Sequence, residues 1–133
     1  LELRIVGGEG WGSVSVEGDR VRRLEDVDDD ELARLYRGAV AVVYVSLYEG
    51  FGLPVLEAIA CAAPVVAPAG RPYDEFAHGI AFEVDPRDVD SIAHGIQQAV
   101  SSGSQPVGVR RAADFTWERA VSAHVELYRE LAR

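Results

Sequence analysis

The chain contains no methionine, no lysine and no asparagine, and it has a single cysteine, Cys61. One cysteine excludes an internal disulfide. All thirteen basic side chains are therefore arginine. Lysine and asparagine draw on A-rich codons, so a GC-rich gene accounts for both absences. The missing methionine, with first residues that already read as the middle of a domain, is expected of a piece of a longer chain. No apolar run approaches the ~20 residues of a membrane-spanning helix, and the first residues carry no secretory pattern. These features together suit a cytoplasmic protein. Positive charge is also scarce: 13 basic against 22 acidic residues leave a net charge of −9. Such a field repels nucleic acid at long range, so no nucleic-acid partner is expected. It leaves room for a small phosphorylated ligand held by backbone amides and one local arginine.

What is present is the composition of one globular domain. A chain of 133 residues is near the commonest domain size and buries roughly two thirds of its unfolded surface without a disulfide or metal staple. Apolar residues make up 48% and charged residues 26%, spread along the chain, which excludes disorder. No internal repeat and no interdomain linker is visible.

The periodicity alternates between strand and helix. Leu3 to Val6 reads as a strand ending at Gly7-Gly8, and Val21 to Glu25 as a second. Glu9 to Asp19 between them reads as an irregular crossover. Asp28 to Gly38 predicts a helix with Asp28 as N-cap and Glu31 three residues later, as in a capping box; Leu32, Leu35, Tyr36 and Ala39 form its apolar stripe. Ala41 to Ser46 is apolar on both faces, as expected at the centre of a covered parallel sheet. Pro54 to Ala63 predicts a helix with Pro54 at its first position. Pro64 to Ala67 predicts a fourth strand, Tyr73 to Ala77 a helical turn and Ile80 to Val84 a fifth strand. A helix follows from Asp85 to about Ser101, then a flexible loop, Ser101 to Val107. Thr116 caps a last helix, Trp117 to Leu131, whose Val121, Leu127, Tyr128 and Leu131 are expected to face a core. The fold class is thus α/β: a Rossmann-like parallel sheet of about five strands with helices on both faces.

Parallel sheets bind ligands beyond the carboxyl ends of their strands. On that rim lies Glu49-Gly50-Phe51-Gly52-Leu53-Pro54-Val55-Leu56-Glu57-Ala58, a strand end, a glycine turn and a helix start. The amides of Phe51, Gly52 and Leu53 suit an anion at the helix N-terminus. Glu49 and Glu57 suit vicinal hydroxyls on either side. A phosphate between two sugars, the shape of a nucleotide-sugar, fits this pattern. The bland alternative is that Glu57 sits in a first turn favoured by the helix dipole, and that Glu49 is a solvated strand-end charge.

The run from Glu49 through Ala60-Cys61 to Pro64-Val65-Val66-Ala67 resembles the signature of the group 1 (family GT4) glycosyltransferases. Asp30-Glu31-Leu32-Ala33, Val84-Asp85-Pro86 and Phe115-Thr116-Trp117-Glu118-Arg119 are similar to the signature's surroundings in that family. The resemblance is to the C-terminal, donor-binding domain of the GT-B fold, lacking its first βα unit. It implies that the chain is the donor-binding part of a retaining enzyme. That enzyme would transfer a hexose from a UDP-, GDP- or ADP-sugar to an acceptor without a metal or other cofactor. By motif position, Glu49 would contact the donor sugar and Glu57 the ribose hydroxyls. The amides of Gly50, Phe51, Gly52 and Leu53 would contact sugar and diphosphate, Gly8 would lie beside the donor, and Glu25, Asp26 and Val27 would border the base. A non-catalytic nucleotide-sugar-binding or interaction module with a degenerate site is the alternative.

Three departures from the family pattern bear on this. The first βα unit carries an Arg/Lys pair on the diphosphate and is absent. The acceptor-binding domain is absent, to be supplied in cis or by a separate chain, and any contact with a membrane surface is left to it. Ala62-Ala63 stands where Gly-Thr is common. The missing strand is a central one, so either the first and third strands pair directly, in order 2-1-3-4-5, or another chain fills the gap, self-association included.

Other constellations carry less. Asp28 to Glu31 reads as helix capping rather than a metal site. His78, His94 and His124 are scattered, and Cys61 reads as a small buried residue. Arg71 is the best remaining rim cation, with an ordinary surface arginine as the preferred reading. Trp11 and Tyr48 read as packing residues.

Overall fold

The computed structural model describes residues 1–8, 16 and 18–133. The expected crossover at Glu9 to Asp19 falls largely outside the described residues, and Trp11 lies outside them entirely. The elements are β1 (Leu3–Val6), β2 (Val21–Leu24), α1 (Asp29–Gly38), β3 (Val42–Val43), α2 (Leu53–Ala60) and β4 (Val65–Pro68). After a 3-10 turn at Tyr73–Glu75 come β5 (Phe82–Val84), α3 (Val89–Ser102), α4 (Pro106–Ala112) and α5 (Trp117–Leu131). All strand pairs are parallel, so the α/β class holds.

The strands form two sheets, β1-β2 and β3-β4-β5, rather than one. The direct pairing of first and third strands in order 2-1-3-4-5 is therefore not found. The third strand is two residues long where six are expected: among the described residues it pairs only with β4, and its Val43 is 40% exposed, not buried as at a sheet centre.

The core forms on both faces of β3-β4-β5, because side chains alternate along a strand. Val65 and Ala67 of β4 join Val55, Leu56, Ala58 and Ile59 of α2 on one face. Val66 joins Val84 and Ala99 on the other, with Ile92 and Ile96 of α3 packed against them. Every residue of β4 is buried.

The helix ends follow local chemistry. Asp28 caps α1, its carboxylate accepting from the Glu31 amide at 2.8 Å; Asp88 caps α3 and Thr116 caps α5 in the same way. The α2 helix ends three residues early, at Ala60. Its exit is a Schellman turn, with Ala62 N–H donating to Ile59 and Ala63 N–H to Ala58, at 3.0 and 3.1 Å. Ala62 holds the left-handed position, φ 59°, a conformation that favours glycine.

Two expectations along the C-terminal third fail. Residues 106 and 107 are not loop but the start of α4, which packs Gly108 against Ile59 and Ile80. A short helix with a central glycine has little periodicity to show. The apolar stripe of α5 does not face a core: Val121, Leu127, Tyr128 and Leu131 are 59%, 50%, 65% and 75% exposed. Amphipathic spacing predicts a face but not its partner.

Candidate functional site

The site is built on the turn between β3 and α2. Gly52 is the N-cap of α2 and adopts φ 91°, a conformation that any side chain would strain. Steric space demands glycine as well: a Cβ there would stand 2.6 Å from Cε1 of Tyr73. Leu53 is the first helical residue and Pro54 the second, one position later than the sequence suggests. Phe51 turns its ring inward, stacked on Phe76 with centroids 5.1 Å apart and tilted against Phe115 at 6.1 Å. Aromatic contacts of this kind contribute about 0.5–1.5 kcal/mol each. They hold the turn from below, with Gly50 and Leu53 exposed, Phe51 half-buried and Gly52 buried. Among the described residues, the amides of Gly50, Phe51, Gly52 and Leu53 donate no hydrogen bond. They are open donors at a helix start, where the dipole adds roughly half a positive charge.

Each motif carboxylate is held by a tyrosine hydroxyl. Tyr44 Oη donates to Glu49 Oε1 at 2.6 Å. Tyr36 Oη, from α1, donates to Glu57 Oε2 at 3.4 Å, a longer and weaker bond. The hydrogen bond to Glu49 pushes the Tyr44 phenol up to about 12. Burial and then the Glu57 charge push Tyr36 up to about 12 as well. Both hydroxyls thus stay protonated donors. Burial raises the Glu57 carboxyl above its ordinary range, against the opposing effect of the Tyr36 hydrogen bond.

Glu57 is not in the first turn of α2. It is the fifth helical residue, and the first turn holds no acidic residue. The helix-dipole explanation of Glu57 therefore loses its basis, since that effect fades beyond the first turn.

The remaining rim residues divide between the two sheets. Gly8 follows β1, its carbonyl accepting from Arg23 Nη1 at 3.2 Å. Glu25, Asp26 and Val27 follow β2, with Asp26 in the left-handed region at φ 53°. No hydrogen bond among the described residues joins this group to the Glu49–Glu57 turn. Arg71 is exposed. Tyr48 is 91% exposed, not a packing residue as expected. His78 pairs with Glu83 at 2.7 Å. Two surface cavities, of about 240 and about 420 Å³, have no residue of the stretch from Glu49 to Ala58 in their lining. Gly50, Leu53 and Glu57 of the turn and its helix are exposed. No helix among the described residues is long and apolar enough to cross a membrane.

Three residues of the site escaped sequence reasoning: Tyr36, Tyr44 and Tyr73. Tyr36 was visible only as part of the α1 stripe, and Tyr44 as part of an apolar run.

The model of the family described as glycosyl transferases group 1 matches residues 15–114. The chain belongs to the group 1 glycosyltransferases. Its α/β architecture with parallel strands agrees with a Rossmann-like half of the GT-B fold. Among relatives of this glycosyltransferase chain is the O-antigen chain mannosyltransferase B of Escherichia coli, 35% identical over 128 residues, 92% of this chain and 31% of that one. Another is the D-inositol 3-phosphate glycosyltransferase of Salinispora arenicola (strain CNS-205), 34% identical over 84% of this chain and 27% of that one. The MMP alpha-(1->4)-mannosyltransferase of Mycolicibacterium hassiacum is 32% identical over 83% of this chain and 29% of that one. The chain thus spans under a third of the length of each.

Proposed function

We propose that this chain is the donor-binding part of a retaining glycosyltransferase, and that the whole enzyme transfers a hexose from a nucleotide-sugar to an acceptor. One observation carries the reading: a glycine turn with open amides lies between two carboxylates, each oriented by a tyrosine hydroxyl. The open amides and the α2 dipole take the diphosphate charge, with no metal required. Glu49 accepts hydrogen bonds from hydroxyls of the transferred sugar, and Glu57 from the ribose. Gly8 borders the donor, and Glu25 to Val27 border the base. Three group 1 relatives with transferase names support the glycosyl-transfer chemistry.

In this reading an acceptor-binding domain, in cis or from a separate chain, faces the turn. Another chain, a second copy of this one included, supplies the further strand that the family pattern places between the first and third strands. Calorimetric titration of the chain with UDP-, GDP- and ADP-glucose and GDP-mannose tests the proposal. Binding of at least one, weakened in Glu49→Ala more for the nucleotide-sugar than for its diphosphate, is the expected result. Equal binding by Glu49→Ala and wild type removes the sugar assignment.

A further inference from the structure

Positive charge is scarce in this chain, 13 basic against 22 acidic residues. Two arginines nevertheless stand next to each other in the last turn of α4, Arg110 and Arg111. Both line the surface cavity of about 420 Å³, a volume within the range of small-ligand sites. Neither makes an ion pair among the described residues. Asp114, in the same lining, is held by Arg119 at 3.1 Å, and His78 is held by Glu83 at 2.7 Å. The carboxylates near the cavity are thus committed to other cations.

A helix carboxyl end favours basic side chains with no ligand present. That effect accounts for the arginine pair but not for what the cavity's other segment brings. His78 and Gly79 belong to the turn before β5, where the amides of Ile80 and Ala81 donate to the Ala77 carbonyl at 2.9 and 2.8 Å. The amides of His78 and Gly79 donate no hydrogen bond among the described residues. Gly79 is left-handed, φ 72°, as in the amide concavities that hold anions. Two segments distant in sequence therefore bring unused donors to one cavity.

Guanidinium forks and open amides make the same demand: an acceptor with several oxygens and a negative charge. A phosphate monoester meets it with three acceptor oxygens and a charge of about −1.5 to −2, which two arginines neutralise. We propose that this cavity is an anion site that takes the phosphate group of a phosphate monoester. The site is independent of the donor-site reading. It stands apart from the Gly52 turn, because α4 packs Gly108 on Ile59, toward the other end of α2. A soluble ester and a phosphatidic acid headgroup present the same group.

The test is a titration of the isotope-labelled chain with glycerol 3-phosphate, followed by amide NMR. The His78 and Gly79 amides should shift and saturate. In Arg110→Gln/Arg111→Gln the affinity should fall at least about tenfold, the loss of charge-assisted hydrogen bonds. Arg129→Gln, on α5, should bind as wild type does. Sedimentation with phosphatidylcholine vesicles, with and without phosphatidic acid, separates the sources. Binding only to vesicles with phosphatidic acid, lost in the double variant, marks a lipid headgroup. Amide shifts with glycerol 3-phosphate and no vesicle binding mark a soluble ester. A wild type with no shift at His78 or Gly79 and no vesicle binding overturns the inference. Shifts confined to residues 50–53 overturn it too, and leave the donor site standing. Equal weakening in Arg129→Gln also overturns it, as the mark of unspecific charge attraction.

Discussion

The Tyr44 hydroxyl stands 2.6 Å from Glu49, a short bond from the end of the third strand to the start of the turn five residues later. It fixes one carboxylate oxygen and leaves the other for a ligand. A neutral donor to a charged acceptor is among the stronger hydrogen bonds, about 1.5–3 kcal/mol. Tyr44→Phe should therefore leave nucleoside diphosphate binding intact and lower nucleotide-sugar affinity about tenfold, because Glu49 loses its orientation. Titration of both ligands against the variant checks this.

The same bond makes a prediction in alkali. Tyr36 and Tyr44 are both pushed up to about 12 in the folded protein, from an ordinary value of about 10. Each group raised in this way favours the folded state fully below its unfolded pKa, and that contribution is lost as pH rises through the folded one. Stability should fall between about pH 10 and 12. Ultraviolet difference titration should show two tyrosines ionising late, and in Tyr44→Phe one of them should vanish.

Glu57 carries the opposite trade. Its carboxyl is raised in the folded protein, so its charge opposes folding at neutral pH and is kept against stability. Glu57→Gln should raise the melting temperature. It should weaken nucleotide binding about ten- to hundredfold, as expected when a charged acceptor of two hydroxyls is lost. In wild type, nucleotide affinity should decline as pH falls through the raised Glu57 value. Melting curves and titrations across the acid range read both effects.

Backbone geometry separates the glycines of the turn. Gly52→Ala meets φ 91° and the Tyr73 ring together, and should cost about 2–4 kcal/mol. Gly50 has nothing within 4 Å of its would-be Cβ, and Gly50→Ala should stay within about 0.5 kcal/mol of wild type. Ala62→Gly, at the left-handed exit of α2, should stabilise by up to about 1 kcal/mol. Denaturant unfolding of the three variants ranks them.

Local signals carried most of the fold. The Asp28 cap, the fourth strand (read as Pro64 to Ala67, found at Val65–Pro68) and the Thr116 cap were all legible, because each is decided by residues within one turn of one another. What failed depended on distant partners. The core side of α5 is undecided by its own spacing, and β3 is short where, among the described residues, it pairs with β4 alone. Of the site, the two glutamates and the glycine turn were legible from their pattern. The tyrosines were not, since Tyr36 meets Glu57 across 21 positions and Tyr73 reaches Gly52 only through the packing of β4 beside α2.

Titration of the folded chain and of Glu57→Ala with UDP, GDP and ADP tests the central claim most directly. One diphosphate should bind wild type with measurable heat and bind Glu57→Ala at least tenfold more weakly, a difference of about 1.4 kcal/mol. No heat with any of the three, or the same affinity in both proteins, would contradict it.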